Sequence, residues 1–207
     1  GYDGLKRAID VVASTAALVV TAPLQAVVAA VVAADLGRPV LFRQPRPGKN
    51  GEVFELVKFR TMRNPDQSRV TDADRLTRLG RFLRSTSLDE LPTFWNVLKG
   101  DMSLVGPRPL LVDYLTRYSQ EQVRRHEVRP GVTGLAQVSG RNAIDWDAKL
   151  ALDVEYVDAR SLALDVKILL MTAAHVVKRT GISAAGQATM NEFTGSAQGE
   201  VTSDAPR

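Results

Sequence analysis

Two adjacent carboxylates, Asp89 and Glu90, precede an arginine held between two prolines, Pro107-Arg108-Pro109. Neighbouring acids near fixed cations suit phosphate chemistry assisted by a metal. The flanking prolines stiffen the backbone around Arg108, and a rigid guanidinium suits bidentate binding of phosphate. Lys58 and Arg60, in Lys58-Phe59-Arg60, point to one face if a strand runs through them, and two cations at that spacing can grip a diphosphate. They equally suit ordinary charge on an edge strand. Gly140-Arg141-Asn142 offers a further loop arginine. The candidate catalytic residues are therefore Asp89 and Glu90, and the candidate substrate contacts are Lys58, Arg60, Arg108 and Arg141.

The acidic pair also has a purely structural reading. Ser87 and Glu90 have the S-x-x-E spacing of a capping box, in which Glu90 would only satisfy backbone donors at a helix start. Pro92 is awkward for that helix. On either reading the pair lies at a helix N-terminus, where the dipole and free N–H groups favour phosphate. Zinc chemistry is excluded by the absence of cysteine and by two histidines that lie far apart, His126 and His175. Both are read as structural, His126 on a surface helix and His175 in the last helix. There is no Ser-His-Asp arrangement and no Walker-type loop.

The elements that position these residues follow from local patterns. Val40–Phe42 and Val53–Val57 flank Pro47-Gly48-Lys49-Asn50-Gly51, which predicts a β-hairpin turning at Asn50-Gly51. Leu76, Leu79, Phe82 and Leu83 recur at helical spacing with Arg75, Arg78, Arg81 and Arg84 between them, giving an amphipathic helix with an arginine-rich side. Residues 91–99 predict a short buried helix closed by Gly100, and residues 119–127 another. A loop is expected over 129–142, then helices over 146–157 and 162–178. Residues 195–207 are small and polar, and a disordered tail is expected there.

Residues 11–34 carry no charge, and those 24 residues would reach roughly 36 Å as a helix. That exceeds a bilayer core of about 30 Å. Pro23 interrupts the run and predicts a kink, and Lys6-Arg7 before and Arg38, Arg43 and Arg46 after it give no preferred direction of crossing. A helix that enters, bends and returns fits both facts; a straight span with a tolerated proline is the alternative. A secretory signal is disfavoured by the length of the run, by Pro23 and by the lack of a clean Ala-x-Ala site. Residues 36–85 hold 12 Lys or Arg against 5 Asp or Glu, a basic block suited to anionic lipid, phosphorylated substrate or nucleic acid. With no cysteine, disulfides are excluded.

Five segments resemble the bacterial sugar transferase family, the monotopic phosphoglycosyl transferases. They are KRAID at 6–10, FRQPRPGKNGEVFELVKFRTM at 42–62, LTRLGRFLRSTSLDELPTFWNVLKGDMSLVGPRPLL at 76–111, RPGVTGLAQVSGRN at 129–142 and LDVEYVDARSLALDVKIL at 152–169. Long motifs in order are specific, where a lone Asp-Glu would not be. The small size resembles the minimal catalytic form of the family.

The resemblance implies an α+β, mostly helical fold, with a re-entrant N-terminal membrane helix broken near Pro23, a short hairpin and interface-lying helices. It implies residues 1–36 as the membrane helix, 37–185 as a cytosol-facing catalytic domain and 186–207 as a partly disordered tail. The implied location is the cytoplasmic face of a bacterial inner membrane. The implied reaction moves a sugar-1-phosphate from a UDP-sugar to polyprenyl (undecaprenyl) phosphate, releasing UMP, as the first membrane step of glycan assembly. By similarity, Asp89 is the nucleophile of a ping-pong cycle and a Mg²⁺ ligand. Glu90 is its partner, deprotonating the lipid phosphate or helping to hold the metal. An oxygen-rich site with few protein ligands suits Mg²⁺.

The expected partners are the UDP-sugar, polyprenyl phosphate and lipid of the cytoplasmic leaflet, with no nucleic acid; apolar faces are compatible with a homodimer. One departure is visible: the family's helix break has serine before the proline, and here Ala22 stands there with Thr21 as the nearest hydroxyl. The rival readings are a non-catalytic membrane module using the basic block, and a nucleotide-sugar hydrolase with water as acceptor.

Overall fold

The computed structural model describes residues 1–65, 71–140, 144–178 and 193–195. Its first element is one helix, α1 (Tyr2–Leu36), long and apolar enough to cross a membrane. Pro23 lies inside it, so two separate half-helices do not form. Thr21 does not take over the serine's task, because its Oγ1 donates to Ala17 O (2.6 Å) and accepts from Gln25 Nε2 (2.9 Å). The carbonyl that a proline at 23 deprives of its helical donor is that of Val19.

Both ends of α1 are fastened to the rest of the protein. At the start, Arg7 donates to Val97 O (2.6 Å) and Leu98 O (2.7 Å), and buried Asp10 accepts from Ser103 Oγ and Leu104 N. At the end, Val28 and Val32 pack with Phe59 and Leu83, and Arg60 Nη2 donates to Leu36 O and to Gly37 O. From residue 15 to residue 27 nothing is buried.

The hairpin expected from Asn50-Gly51 forms. β1 (Leu41–Pro47) and β2 (Val53–Phe59) pair antiparallel from Leu41 opposite Phe59 to Pro47 opposite Val53. Asn50 and Gly51 take the positive φ of 56° and 77° that the turn requires.

The arginine-rich segment divides in two. α2 (Asp72–Arg75) is capped by Thr71, and α3 (Arg78–Ser85) by Thr77, whose hydroxyl accepts from Gly80 N. Gly80 lies so close to the end of the hairpin that a Cβ there would stand 1.9 Å from Thr61 O. Only glycine lets α3 approach this near.

α4 (Thr93–Lys99) follows and ends on Gly100 in the left-handed region. β3 (Ser103–Val105) and β4 (Gly131–Thr133) then form a parallel pair that local patterns did not predict. Between them α5 (Gln120–Val123) opens with a full capping box of Ser119 and Gln122 and continues as a 3-10 turn, Arg124–Glu127. α6 (Leu135–Ser139) occupies part of the segment expected to be loop. α7 (Trp146–Ala159) and α8 (Leu162–Lys178) complete the chain of helices.

The largest core group joins Val105, Val128, Val138, Tyr156, Val157 and Ile168, so β3, α6, α7 and α8 share one interior. Phe193 is buried among Tyr114, Tyr118 and Trp146, and its backbone N–H donates to Tyr114 Oη. This residue of the predicted tail therefore closes an aromatic cluster beside the start of α7.

Candidate active site

Three hydrogen bonds between two side chains of α4 and the hairpin backbone fix where the acidic pair stands. A two-stranded sheet leaves the outer edge of β2 unpaired, and α4 satisfies it. Thr93 Oγ1 donates to Val57 O (3.0 Å), Asn96 Oδ1 accepts from Val57 N (3.1 Å), and Asn96 Nδ2 donates to Glu55 O (2.7 Å). Thr93 and Asn96 lie one helical turn apart and are almost wholly buried. This lock brings the turn just before α4, Leu88–Glu90, beside Lys58 of β2.

That turn is a 3-10 segment entered through Ser87 at φ 57°. With Ser87 left-handed, its hydroxyl caps nothing, so the capping-box reading of Glu90 does not hold. Pro92 is accommodated because α4 begins only at Thr93. Glu90 turns instead to two cations: Lys58 Nζ lies 2.6 Å and Arg108 Nη2 3.1 Å from its Oε1. Burial alone would raise Glu90, but Lys58 first and then Arg108 hold it down at about 2. Lys58 is the stronger partner, since Arg108 is half exposed and screened by water. A carboxylate so acidic is a poor base for a lipid phosphate and a good electrostatic brace.

Asp89 has the opposite environment. It is 8% exposed, yet no described residue hydrogen-bonds its carboxylate. Burial pushes its pKa up and the Glu90 charge adds to that; Lys58, Arg84 and Arg108 oppose them without making contact. Arg84 reaches this place from α3 and is steadied by its Nε donating to Thr61 Oγ1 (3.0 Å). The sequence placed Arg84 among four similar arginines on a helix face. Its proximity to Asp89 follows from the Gly80 contact, which turns α3 onto the end of the hairpin.

Arg108 is carried by the junction of β3 with β4. Gly106 N donates to Thr133 O and Gly131 N to Pro107 O, each 2.9 Å. A Cβ on Gly131 would meet Gly106 N at 2.1 Å, which is why glycines stand at both positions.

Of the expected site residues, Asp89, Glu90, Lys58 and Arg108 come together. Arg60 does not join them. β2 ends at Phe59, so strand alternation stops before Arg60, and its guanidinium caps the end of α1. Arg141 lies outside the described residues. His126 is buried rather than on a surface helix, with its Nδ1 3.2 Å from Gly48 O, and burial followed by the neighbouring Arg125 lowers it to about 4.

A divalent cation fits this donor set. No group of three or more His, Cys, Asp or Glu occurs among the described residues. Mg²⁺ typically takes one or two carboxylates and completes its shell from substrate phosphates and water. Asp89, with its carboxylate oxygens uncommitted to any described residue, is the residue that would hold such an ion.

The model of the bacterial sugar transferase family matches residues 1–179. The chain belongs to that family. An uncharacterized sugar transferase of Bacillus subtilis, EpsL, is 50% identical over 96% of this chain and 99% of its own length. The galactosyl transferase CpsE of Streptococcus agalactiae is 44% identical over 70% of this chain and 36% of its own. A UDP-glucose:undecaprenyl-phosphate glucose-1-phosphate transferase of Caulobacter vibrioides is 42% identical over 81% of this chain and 67% of its own. The chain thus spans nearly all of one relative and about a third of another.

Proposed function

We propose that this sugar transferase moves a sugar-1-phosphate from a UDP-sugar to undecaprenyl phosphate by a ping-pong cycle with Asp89 as nucleophile. The observation that carries the reading is the contrast within the acidic pair. Glu90 is committed to Lys58 and Arg108, while Asp89 is buried beside three cations with its carboxylate open to a ligand.

In the first half-reaction an oxygen of Asp89 attacks the phosphorus that bears the sugar. The bond from that phosphorus to the bridging oxygen breaks, and UMP leaves with the oxygen. In the second, an oxygen of undecaprenyl phosphate attacks the same phosphorus and the Asp89 carboxylate departs, giving undecaprenyl diphosphate sugar. Attack by an anion on a diphosphate meets strong repulsion, which Lys58, Arg84 and Arg108 reduce by neutralising phosphate oxygens. A bound Mg²⁺ would supply further positive charge on those oxygens and favour the ionised form of Asp89. Glu90 keeps Lys58 and Arg108 aimed at the site instead of acting as a base.

The membrane arrangement belongs to the same reading. α1 bends at Pro23, enters the cytoplasmic leaflet and returns to the same face. Attachment of both its ends to one body supports this, as does the unburied stretch between them. Exposed apolar side chains on α3 (Phe82), α4 (Trp95) and α8 (Val166, Leu170) suit contact with the leaflet surface, where the lipid acceptor resides.

The test is UMP release by detergent-solubilised protein with Mg²⁺, undecaprenyl phosphate and a panel of UDP-sugars. The reading expects turnover that requires the lipid phosphate and vanishes in Asp89→Asn. Sustained turnover without any polyprenyl phosphate would replace the transferase with a hydrolase.

A further inference from the structure

Pro107-Arg108-Pro109 has only one backbone N–H of its own, that of Arg108, so the tripeptide cannot fix itself with internal bonds. Its three successive carbonyls are instead held by three other parts of the chain. Gly131 N donates to Pro107 O at 2.9 Å, Arg125 Nη2 to Arg108 O at 2.7 Å, and Arg46 Nη1 to Pro109 O at 3.4 Å. The shortest of these comes from a residue 2% exposed.

Arg125 is itself immobilised. Its Nε and Nη2 both donate to Asp153 Oδ2, at 3.0 and 2.6 Å, and its Nη1 reaches Tyr118 Oη at 3.3 Å. Asp153, on α7, is 4% exposed, so the pair is withdrawn from water on both sides. Such a pair is a poor way to gain stability, because desolvation of two charges offsets most of their attraction. What a planar fork provides is direction: one guanidinium fixes Asp153, a tyrosine hydroxyl and a carbonyl oxygen at once. The peptide plane between Arg108 and Pro109 sets where the Cβ of Arg108 points. Holding its oxygen therefore holds the side chain that meets Glu90.

We propose that Arg125, clamped by Asp153, is a positioning residue: it orients the Arg108 peptide so that the Arg108 guanidinium stands between Glu90 and the substrate phosphates. The substrate part of this inference rests on the transferase reading above; the orientation of Arg108 does not. The sequence does not link the two, since Arg125 lies in a charged stretch and Asp153, within the 152–169 segment, on a helix far along the chain.

The experiment pairs kinetics with hydrogen–deuterium exchange on the full chain in detergent. Arg125→Lys keeps the charge but loses the fork. It is expected to lower kcat for UMP release about tenfold to a hundredfold, with a much smaller change in KM for the UDP-sugar. In an Arg108→Ala background the same substitution is expected to change kcat less than about twofold, because the group it positions is gone. Exchange in the peptide covering Gly106–Leu111 is expected to quicken, while that covering α4 stays unchanged.

Should Arg125→Lys not fold, the double substitution Arg125→Met with Asp153→Leu removes the pair as a unit and preserves an apolar interior. It carries the same expectations. Equal kinetic losses with and without Arg108 would overturn the proposal, as would unchanged exchange over 106–111. If the wild type releases no UMP with any donor, the transferase reading has failed, and the exchange arm still decides the positioning claim.

Discussion

Asp89 and Asp165 are both aspartates withdrawn from water, 8% and 6% exposed, and both have cations nearby. They differ in what meets the carboxylate. Asp165, on α8, accepts from Lys6 Nζ (2.8 Å), Tyr2 Oη (2.9 Å) and Tyr156 Oη (2.7 Å), so its capacity is largely filled by the protein. It ties the start of α1 to α7 and α8. Asp89 has Lys58, Arg84 and Arg108 in its field and a hydrogen bond from no described residue. Burial and opposite charge are common to both regions and therefore mark neither as reactive. A buried carboxylate that no described residue bonds is what separates a site from a tether.

Substituting each aspartate breaks or sharpens that contrast. Asp89→Asn is expected to reduce UMP release by about a thousandfold or more while leaving the melting temperature in detergent unchanged or raised, since it deletes a buried charge without a bonded partner. Asp165→Asn is expected to do the reverse. Loss of the Lys6 pair destabilises the fold by on the order of 3 kcal/mol, and kcat per folded molecule stays within about twofold. Thermal melts and active-site-normalised kinetics on the two variants separate these outcomes. Comparable activity losses at equal stability would erase the distinction.

Truncation of Phe193 tests a third region, neither site nor α1 tether. Phe193→Ala opens a cavity among Tyr114, Tyr118 and Trp146 and is expected to destabilise by about 3–5 kcal/mol, read as a lower melting midpoint. Retention of wild-type stability would show that the aromatic cluster does not need this residue.

Acid sensitivity supplies the smaller effects, and their signs differ in window rather than direction. Glu90 titrates below its unfolded value, so its stabilisation is complete above about pH 4.5 and is lost as pH falls towards about 2. His126 is held neutral with a value near 4 against 6.5 in the unfolded chain. Its contribution is complete above about pH 6.5 and is lost as pH falls towards about 4. His126→Gln should therefore flatten stability between those two values, by up to on the order of 3 kcal/mol, and leave the lower window unchanged. A melting-temperature profile against pH for wild type and variant checks this.

How much of this was legible in the sequence depends on how local each signal is. Asn50-Gly51 and Gly100 dictate backbone within a few residues, and the corresponding turn and helix end are both present. The pairing of β3 with β4 was not legible. Three-residue strands show no periodicity, and the register that defines them sets Ser103 opposite Gly131 and Val105 opposite Thr133, 28 positions away. At the site, Lys58 and Arg108 were expected as phosphate contacts by residue type, but that both would pair with Glu90 was not legible. The departure of Arg60 was not legible either, because its guanidinium is taken by the carbonyls of Leu36 and Gly37 at the end of α1, a contact set by tertiary structure. Arg84 and Arg125 look like members of charged runs, and only their tertiary partners give them roles.

The claim that Asp89 carries the transferred group can be examined directly. Enzyme at high concentration, with Mg²⁺ and a UDP-sugar that supports turnover but without any lipid acceptor, is followed for UMP release and intact mass. The account predicts a burst of up to one UMP per active site, with a mass increase of one phosphosugar that maps to the peptide containing Asp89. It also predicts that the added mass disappears when undecaprenyl phosphate is supplied. Turnover with acceptor present but neither burst nor adduct in its absence would mean direct transfer between the two substrates, and would contradict the account.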